Sequence, residues 1–353
     1  MIKRIVTLAG DGIGPEIMDS ALAVLQAASQ ETDFDYTNDK QLFGGSAIDQ
    51  TGYALPKDTL EACQSADAIL LAAIGGPRWM NAQQTPEKGL LALRKALQLY
   101  ANIRPIKVAD SLVHLSPLKA EIVTGTDFVV VRELTSGIYF GEPREKRTTE
   151  AFDTNRYTVT EIERLIRQAF TIARGRKKHV TSVDKANVLA TSQLWREVAE
   201  RVAKDYPDCT LEHQYVDSAA MKLVTNPTSF DVIVTENLFG DILSDEGSVL
   251  PGTLGVLPSA SHSVNGSSLY EPIHGSAPDI AGQNRANPVS MILSVAMMLR
   301  QSFQEVALAN QIETACYATM AKGILTPDLG GTATTTSMTE AIIDELNKVP
   351  TIV

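Results

Sequence analysis

The feature that most constrains the fold is a recurring order of short apolar segments, each followed by a loop and an amphipathic stretch. Residues 68–74 are wholly apolar, and residues 3–9 and 128–132 are short and rich in branched side chains. Runs of this length predict buried strands, and the stretches between them have helical periodicity. Strands that alternate with helices are typical of a largely parallel sheet, so we predict an α/β fold.

The rest of the chain extends this order. Thr158 and Thr160 precede apolar residues at helical spacing, which predicts a capped amphipathic helix. Polar, aromatic and glycine residues at 133–157 predict an extended hairpin or arm, and the Gly-, Pro- and Ser-rich segment 250–268 predicts a crossing between domains. Further strands are predicted at 179–183, 211–216 and 230–235, and further helices at 87–100, 289–300 and 304–322.

Length and composition limit the class of protein. A chain of 353 residues suggests two domains, and 44% hydrophobic with 21% charged residues is typical of a globular chain with a substantial core. The net charge of -11 disfavours nucleic-acid binding, and the longest apolar run, residues 68–74, is too short to cross a bilayer. The spacing of Cys63, Cys209 and Cys316 suggests neither a disulfide framework nor a thiolate zinc site, so we expect a cytoplasmic protein.

A glycine-rich turn, Gly10-Asp-Gly-Ile-Gly-Pro15, joins the first predicted strand to a predicted helix. Pro15 suits the first turn of a helix, where its missing N–H costs nothing. A strand, a glycine turn and a helix in this order also suggest dinucleotide binding. The dinucleotide fingerprint requires the spacing G-x-G-x-x-G, however, whereas here the glycines fall at every second position. We therefore favour a structural turn over a classical Rossmann signature.

Two aspartates, Asp241 and Asp245, stand four residues apart after the predicted strand 230–235 and would share one face of a helix. Adjacent carboxylates repel unless a cation lies between them, and oxygen ligands suit Mg²⁺ or Mn²⁺. Asp217, at the end of another predicted strand, could complete the set. The alternative is that these acids interact favourably with the helix dipole and face solvent.

Three arginines form a complementary set: Arg94 on a predicted helix, Arg104 on the next segment and Arg132 at the end of a buried strand. A guanidinium binds carboxylates through two parallel hydrogen bonds and keeps its charge. Converging arginines would therefore form a pocket for a di- or tricarboxylate. Each arginine alone is more often a surface or ion-paired residue.

Three further features are candidates for chemistry. Lys185 and Tyr139 are possible proton-transfer groups, with a structural role as the alternative. The turn-rich segment 274–282 offers backbone amides that could hold phosphate oxygens, and Asp279 could accept a ribose hydroxyl. An ordinary loop is the alternative for that segment.

Together, these segments resemble the isocitrate/isopropylmalate dehydrogenase family of β-decarboxylating dehydrogenases, essentially from end to end. The motifs are the glycine turn and the blocks LRK (93–95), YANIRP (100–105), VRELTSGIYFG (131–141), DKANV (184–188), TENLFGDILSD (235–245) and EPIHGSAPD (271–279). Several such blocks in order are specific, because an independent coincidence would be needed at each. The resemblance implies a two-domain fold with a large mixed sheet that is not a classical Rossmann fold.

The resemblance also implies a reaction. It is the oxidative decarboxylation of 3-isopropylmalate to 2-oxoisocaproate with reduction of NAD, in leucine biosynthesis. The three arginines would bind the substrate carboxylates, and the three aspartates would hold Mg²⁺ or Mn²⁺ as a Lewis acid that also chelates the substrate. Lys185 would take the hydroxyl proton, and Tyr139 would deliver a proton to the enolate carbon.

By the same resemblance, the isopropyl group of the substrate would lie against Leu90, Leu91 and Val188. An apolar wall would reject a third carboxylate by leaving it desolvated and unpaired. Relatives that use isocitrate place a serine near here, and residues 86–94 contain none. A tartrate- or malate-type decarboxylating dehydrogenase is the nearest alternative enzyme, and a catalytically silent carboxylate-binding protein is an alternative of another class.

NAD would bind a non-Rossmann site formed by residues 75–87 and 274–287, with Asp279 on the adenosine ribose. Asp279 would repel a 2′-phosphate, which favours NAD over NADP. Ser218 stands where many relatives have Asn or Asp, and Leu325 stands where some have Arg. Neither difference removes a catalytic group. The expected cofactor contacts are Gly75, Gly76, Glu87, His274, Gly275, Ser276, Ala277, Asp279, Ile280 and Asn287.

The implied domain order is discontinuous. Residues 1–99 and 252–353 would form a cofactor-binding domain, and residues 100–251 would form a substrate, metal and dimerisation domain with an arm at 133–157. A homodimer would be the catalytic unit, because part of each site would come from the partner subunit. The residues contributed in this way would be Lys185, Val188 and Asp217.

Overall fold

The computed structural model describes residues 2–30, 32–80, 82–264 and 266–348. Asn81, in the loop of the expected cofactor segment, and Asn265, in the predicted crossing, lie outside the described residues. The chain forms two compact units, of which unit 1 is Met1–Gln98 with Thr253–Val353 and unit 2 is Leu99–Gly252. None of the described helices is both long and apolar enough to span a membrane.

Strands and helices alternate through most of the chain. The strands are β1 (Lys3–Gly10), β2 (Tyr36–Gln41), β3 (Ala68–Ala73), β4 (Leu99–Lys107), β5 (Asp127–Glu133), β6 (Glu145–Lys146), β7 (Ala151–Phe152), β8 (His179–Asp184), β9 (Thr210–Tyr215), β10 (Val232–Thr235), β11 (Pro258–Ser263) and β12 (Ser268–Pro272). The α-helices are α1 (Gly14–Ser29), α2 (Gly45–Thr51), α3 (Lys57–Gln64), α4 (Pro86–Ala96), α5 (Ala120–Val123), α6 (Val159–Arg174), α7 (Ala190–Ala203), α8 (Val216–Thr225), α9 (Asn237–Ser248), α10 (Val289–Ser302), α11 (Val306–Ala321) and α12 (Thr335–Leu346).

Unit 1 contains a mixed sheet with the strand order β2–β1–β3–β12–β11. β1 pairs in parallel with β2 and β3, β12 is parallel to β3, and β11 is antiparallel to β12. All residues of β3 are buried, as its apolar sequence predicts. α10 is buried from Val289 to Leu299 without interruption, so this helix lies in the core of the unit rather than on its surface.

In unit 2 the strand order is β4–β5–β10–β8–β9. β4 is antiparallel to β5, and the other neighbouring strands are parallel. β6 and β7 form a separate two-stranded hairpin between β5 and α6. The predicted α/β class is confirmed, and neither strand order is that of the classical Rossmann fold.

The helix that begins near residue 87 is shorter than predicted. α4 ends at Ala96, and β4 begins at Leu99 and contains Tyr100. Gln98 between them has a φ of 53°, in the left-handed region, which a continuing α-helix does not allow. Pairing of β4 with β5 stabilises this segment as a strand, although its apolar run fits either element.

The segment 250–268, predicted as a crossing between domains, contains a strand that the sequence did not predict, β11. The sequence of β11, Pro-Ser-Ala-Ser-His-Ser, has no apolar alternation, yet its first four residues are buried and it pairs with β12. β2, with the sequence Tyr-Thr-Asn-Asp-Lys-Gln, is likewise too polar to be predicted and ends the strand order of unit 1. Tertiary pairing, not local propensity, determines both strands.

The start of α6 follows the sequence prediction closely. The Thr158 side chain accepts a hydrogen bond from the Glu161 backbone N–H, and the Glu161 carboxylate accepts one from the Thr158 backbone N–H. This reciprocal capping box satisfies two N–H groups that the first turn of a helix leaves without partners. Thr158 is therefore the cap, whereas Thr160 lies inside the helix.

Candidate functional site

Two arginine–aspartate pairs connect the sheet of unit 2 to α9. Arg132, on β5, is only 6% exposed, and its guanidinium donates to Asp241 Oδ1 and, at 2.8 and 3.1 Å, to Asn237 Oδ1. Arg104, on β4, donates to Asp245 Oδ1 at 2.8 Å. Two of the predicted substrate arginines thus lie together with two of the predicted metal aspartates.

The geometry of strands and helices explains why the pairs align. Asn102 lies opposite Arg132 in the β4–β5 register, and Arg104 is two residues from Asn102, so both arginines project from one face of the sheet. Two residues of a strand span about 6.8 Å, and four residues of a helix rise about 6 Å. The four-residue spacing of Asp241 and Asp245 on α9 therefore matches the spacing of the two arginines.

Gly240 allows α9 to lie close to β5. A Cβ atom added at Gly240 would lie 2.6 Å from Cγ and 2.8 Å from Cβ of Arg132, closer than real Cβ atoms approach. The glycine in the block TENLFGDILSD is therefore required by close packing on Arg132, immediately before the first aspartate of the pair.

Tyr139 belongs to the same cluster. It lies in the short 3₁₀ turn Gly137–Tyr139 after β5, and its hydroxyl donates to Asp241 Oδ2 at 2.8 Å. Burial, together with this hydrogen bond, raises the pKa of Tyr139, so the hydroxyl keeps its proton at neutral pH. The Arg132 guanidinium lies 5.8 Å from the centre of the Tyr139 ring.

Lys185 and Asp217 form a second cluster in unit 2. Lys185 lies between β8 and α7, and its Nζ donates to Asp217 Oδ1, in the first turn of α8, at 2.5 Å. The hydrogen bond from Lys185 lowers the pKa of the Asp217 carboxyl below its ordinary value. Val188, in the same loop as Lys185, is 67% exposed.

The single chain does not bring the three predicted metal ligands together. Across the described residues, no group of three or more His, Cys, Asp and Glu side chains is placed to hold a metal ion. Asp241 and Asp245 nevertheless fit a hard divalent cation, because carboxylate oxygens are the ligands that Mg²⁺ and Mn²⁺ prefer. Asp217 pairs with Lys185 and does not complete this set within one chain.

The remaining predicted substrate residues lie on α4 of unit 1. Arg94 donates from Nη2 to the Glu271 carboxylate at 2.9 Å, and its Nε is buried without a partner. Leu90 is half-buried and Leu91 is exposed. Glu271 is a partner that residue types alone did not indicate, although it begins the block EPIHGSAPD.

A cavity of about 460 Å³ in unit 1 contains half of the predicted cofactor contacts. His274, Gly275, Ala277, Ile280 and Asn287 line it, whereas the other five predicted contacts are not among its lining residues. The further lining residues are Ile13, Thr253, Leu254, Gly255, Arg285, Ala286, Pro327 and Asp328.

His274 supports a ligand in this cavity. Its Nε2 is buried without a hydrogen-bond partner, and Nδ1 lies 3.0 Å from the Gly275 carbonyl oxygen. Burial lowers the pKa of His274, so the ring is neutral at pH 7. Its free Nε2 can then form one hydrogen bond with a polar ligand. A mostly apolar cavity with one unpaired polar atom fits the adenosine half of a dinucleotide.

The five predicted cofactor residues outside the cavity lining are placed as follows. Asp279 is exposed, and Glu87 lies on α4, where its Oε1 is 2.9 Å from an ideal Cβ at Gly75. Ser276 is buried and donates to the Gly75 carbonyl oxygen. Gly76 directly precedes the 3₁₀ turn Pro77–Trp79.

Glu236 is a functional candidate that the sequence analysis did not single out. It precedes α9, is 5% exposed, and accepts one hydrogen bond, from Asn155 Nδ2 at 3.3 Å. Burial, with the nearby carboxylates of Asp184 and Glu133, raises its pKa to about 7. The only sequence signal was an acidic residue directly before a helix, which is common.

Comparison with known proteins identifies the family. The isocitrate/isopropylmalate dehydrogenase family matches residues 4–345, and the chain belongs to this family. The predicted family, fold class and enzyme class are thereby confirmed.

Similar proteins cover nearly the whole chain. It is 65% identical to the 3-isopropylmalate dehydrogenase of Streptococcus mutans over 98% of this chain and 100% of that protein, and 61% identical to that of Listeria monocytogenes over 98% and 99%. Among solved structures, the isocitrate dehydrogenase of Methylococcus capsulatus has a TM-score of 0.86 at 36% identity, covering 98% of this chain and 99% of that one. A β-decarboxylating dehydrogenase of Thermococcus kodakarensis has a TM-score of 0.83 at 36% identity, covering 98% and 97%.

We expect Gly240→Ala to lower the free energy of unfolding by about 1–3 kcal/mol, because the added methyl group forces Arg132 or α9 to move. Gly175→Ala is the matched control, since its added Cβ would have its nearest neighbour at 3.6 Å. Urea-induced unfolding measures both variants. Equal losses in the two would show that Gly240 is not a close-packing position.

We expect the stability of Glu236→Gln relative to the parent protein to rise with pH. The folded-state pKa of Glu236 is about 7, against an ordinary 4.5, so its favourable contribution is present below pH 4.5 and is lost as the pH rises through 7. Glutamine stays neutral and does not lose that contribution. Unfolding free energies measured between pH 4 and pH 8 test this, and a difference that is constant with pH would contradict it.

Proposed function

We propose that this chain oxidises and decarboxylates 3-isopropylmalate to 2-oxoisocaproate with NAD as the oxidant, in leucine biosynthesis. The names of relatives at 61–65% identity over nearly the whole chain support this reaction. The structural observation that carries it is the alignment of Arg104 and Arg132 with Asp245 and Asp241 on α9. This alignment combines a dicarboxylate-binding surface and divalent-metal ligands in one cluster.

In this proposal, Arg104 and Arg132 exchange their aspartates for the carboxylates of the substrate. Asp241 and Asp245 are released at the same time to hold Mg²⁺ or Mn²⁺, with Asp217 of the partner subunit as a further ligand. Two arginines and two aspartates are neutral together, and so are a divalent cation and a dianionic substrate. The exchange therefore leaves no uncompensated charge at a site where Arg132 is almost fully buried.

The proton transfers are assigned to Lys185 and Tyr139. The Lys185 amine, in its neutral form, would take the proton of the C2 hydroxyl, and NAD, when bound, would supply the acceptor for the hydride of C2. Tyr139 then donates its hydroxyl proton to C3 after the carboxylate has left. The Tyr139 hydroxyl carries its proton at neutral pH, since its pKa is raised above the ordinary value, and the proton is therefore available for this step. A bound metal ion stabilises the negative charge that develops on the substrate oxygens.

Substrate choice is assigned to Arg94, Leu90 and Leu91 of α4, with Val188 of the partner subunit. Arg94 supplies a third guanidinium, held by Glu271. The leucines and Val188 form an apolar wall for the isopropyl group, which leaves a third carboxylate desolvated and without a partner. This is the part of the proposal that separates 3-isopropylmalate from isocitrate.

NAD is assigned to unit 1, with its adenosine in the cavity beside His274 and its remaining contacts along residues 75–87. Asp279 disfavours a 2′-phosphate through its negative charge, so NAD is the preferred cofactor. The substrate, metal and dimer contacts are assigned to unit 2. Cys63 and Cys316 are buried and Cys209 is partly buried, all as free thiols, and we assign the enzyme to the cytoplasm.

We place the interface of a homodimer on the exposed apolar surface of α8 and α9. Met221 and Val224, three residues apart on α8, are 64% and 42% exposed, and Ile242 on α9 and Val249 directly after it are 54% and 53% exposed. These four large apolar side chains, on α8, on α9 and at the end of α9, offer a surface that a second copy of the chain can bury. Lys185, Val188 and Asp217 then enter the site of the other subunit.

A substrate panel tests the proposed reaction. NADH absorbance is followed with purified protein, NAD and Mg²⁺ in the presence of 3-isopropylmalate, isocitrate, homoisocitrate, malate or tartrate. We expect the highest kcat/KM with 3-isopropylmalate, loss of turnover in excess chelator, and recovery with Mg²⁺ or Mn²⁺. A higher kcat/KM with any other acid, or full activity in chelator, would overturn the proposal.

Mixed dimers test whether the active sites are shared. A dimer with Lys185→Ala in one subunit and Asp241→Asn in the other keeps one intact site only if Lys185 serves the partner's site. We expect such dimers, isolated with two different tags, to have about half of the normal activity, whereas each parent variant is inactive. The matched control combines Lys185→Ala with Asp217→Asn, which damages both sites and restores nothing. A mixed dimer that is as inactive as its parents would contradict sharing.

Leu90→Ser tests the apolar wall. Lost contact with two or three carbons of the substrate, at about 0.8 kcal/mol each, should lower kcat/KM for 3-isopropylmalate roughly ten- to seventyfold. Malate, which lacks the isopropyl group, serves as the control substrate and should lose much less, while discrimination against isocitrate should relax. An equal loss on malate and 3-isopropylmalate would show that Leu90 only packs within the protein.

A further inference from the structure

The glycine turn between β1 and α1 holds a buried carboxylate that the proposed chemistry does not use. Asp11 is 4% exposed, and its two oxygens accept three backbone hydrogen bonds: Oδ2 from the N–H groups of Gly45 and Gly75 at 2.8 Å, and Oδ1 from Ser46 N–H at 2.7 Å. These three N–H bonds offset part of the cost of burying the carboxylate, although burial still raises the pKa of Asp11 above its ordinary value. One side chain thus joins the glycine turn, the start of α2 and the loop after β3.

The alternating glycines of the turn reflect close contact with the end of β3 and with the segment after β12. Gly10 has a φ of +70°, and an ideal Cβ there would lie 1.9 Å from the Ala73 carbonyl oxygen. Gly12 has a φ of +58°, and its Cβ would lie 2.0 Å from the Ser276 carbonyl oxygen. Both positions therefore exclude a side chain, which accounts for a spacing that does not match the dinucleotide fingerprint.

Hydrogen bonds also join the glycine turn to both predicted cofactor segments, the loop at Gly75 and the segment at Ser276. Ile13 N–H donates to the Ser276 carbonyl oxygen at 2.8 Å, and the Ser276 hydroxyl donates to the Gly75 carbonyl oxygen at 2.8 Å. Gly75 N–H in turn donates to Asp11. The loop after β3 and the segment after β12 are thus tied to each other and to the turn. Ile13 also lines the cavity beside His274.

We infer that Asp11 is a positioning residue for the cofactor, which aligns the Gly75 loop with the Ser276 segment before NAD binds. This inference rests on the proposed function, because it assigns those two segments to NAD. Asp11 itself touches no substrate or cofactor. When the two segments are already aligned, little of the free energy of NAD binding is needed to order them. Loss of the alignment therefore weakens NAD binding.

A purely structural role for Asp11 predicts a different result. It would lower the stability of the protein and leave the kinetic constants of the folded fraction unchanged. A positioning role raises KM for NAD and leaves kcat nearly unchanged, since bound NAD restores the alignment at saturation. The split between KM and kcat therefore separates the two roles.

Asp11→Asn is the first test. The substituted amide retains one acceptor oxygen and turns an NH₂ group toward at least one backbone N–H donor, so the alignment weakens with little change of volume. We expect Kd for NADH, measured by fluorescence titration, and KM for NAD to rise roughly tenfold, which corresponds to about 1.4 kcal/mol. We expect kcat at saturating NAD and KM for 3-isopropylmalate to stay within about twofold.

Asp231→Asn is the matched control. Asp231 is a carboxylate of unit 2, 1% exposed, that accepts hydrogen bonds from Arg176 Nε and His179 N–H. Its variant weakens the hydrogen bonds of a comparably buried carboxylate outside the cofactor segments and should leave KM for NAD unchanged. Ser276→Ala is a milder second variant, useful if Asp11→Asn does not fold, and should raise KM for NAD in the same direction.

The outcomes separate this inference from the proposed function. If the parent protein binds NADH and Asp11→Asn or Ser276→Ala binds it equally well, the positioning role is wrong. A rise in KM for NAD that Asp231→Asn reproduces would also overturn it. If the parent protein does not bind NADH, the proposed function itself fails.

Discussion

The structure of unit 2 depends on the pairing of two arginines in a sheet with two aspartates on one helix. Arg132 is almost fully buried in β5, and an unpaired guanidinium there would be strongly destabilising. Asp241 and Asn237 provide its partners, and α9 can come close enough to do so because residue 240 is glycine. The antiparallel register of β4 and β5 then places Arg104 opposite Asp245, one helical turn further on.

The same pairing gives the proposed site its chemistry. Ion pairs that are partly open to solvent can exchange partners, and the exposed fraction of the Asp245 side chain is 73%. In the proposal, the arginines exchange aspartates for substrate carboxylates while the aspartates bind a divalent cation. Tyr139 belongs to the proposed site because it donates to Asp241, so the proposed proton donor, metal ligands and carboxylate-binding groups lie on neighbouring elements. In the proposal, stability and catalysis therefore depend on the same four charged side chains.

Much of the fold and of the candidate site could be predicted from the sequence, in those segments where the local pattern and the tertiary structure agree. The apolar run of β3, the capped helix α6 and the aspartates of α9 follow from spacing alone. β11 and β2 could not be predicted, because polar strands are formed by pairing with distant segments. Asp11 and Glu236 could not be singled out either, because their roles depend on burial and on backbone donors that no residue pattern reveals. The blocks in order revealed the family, and the spacing of the glycines in the turn became interpretable only when their close neighbours were known.

A crystal structure with Mn²⁺ and 3-isopropylmalate, with the metal located by its anomalous scattering, tests the central claim most directly. The account predicts a manganese peak within bonding distance of the Asp241 and Asp245 carboxylates, with the guanidinium groups of Arg104 and Arg132 bound to the substrate carboxylates. Manganese at another position, with both arginine–aspartate pairs intact and the substrate bound elsewhere, would contradict it.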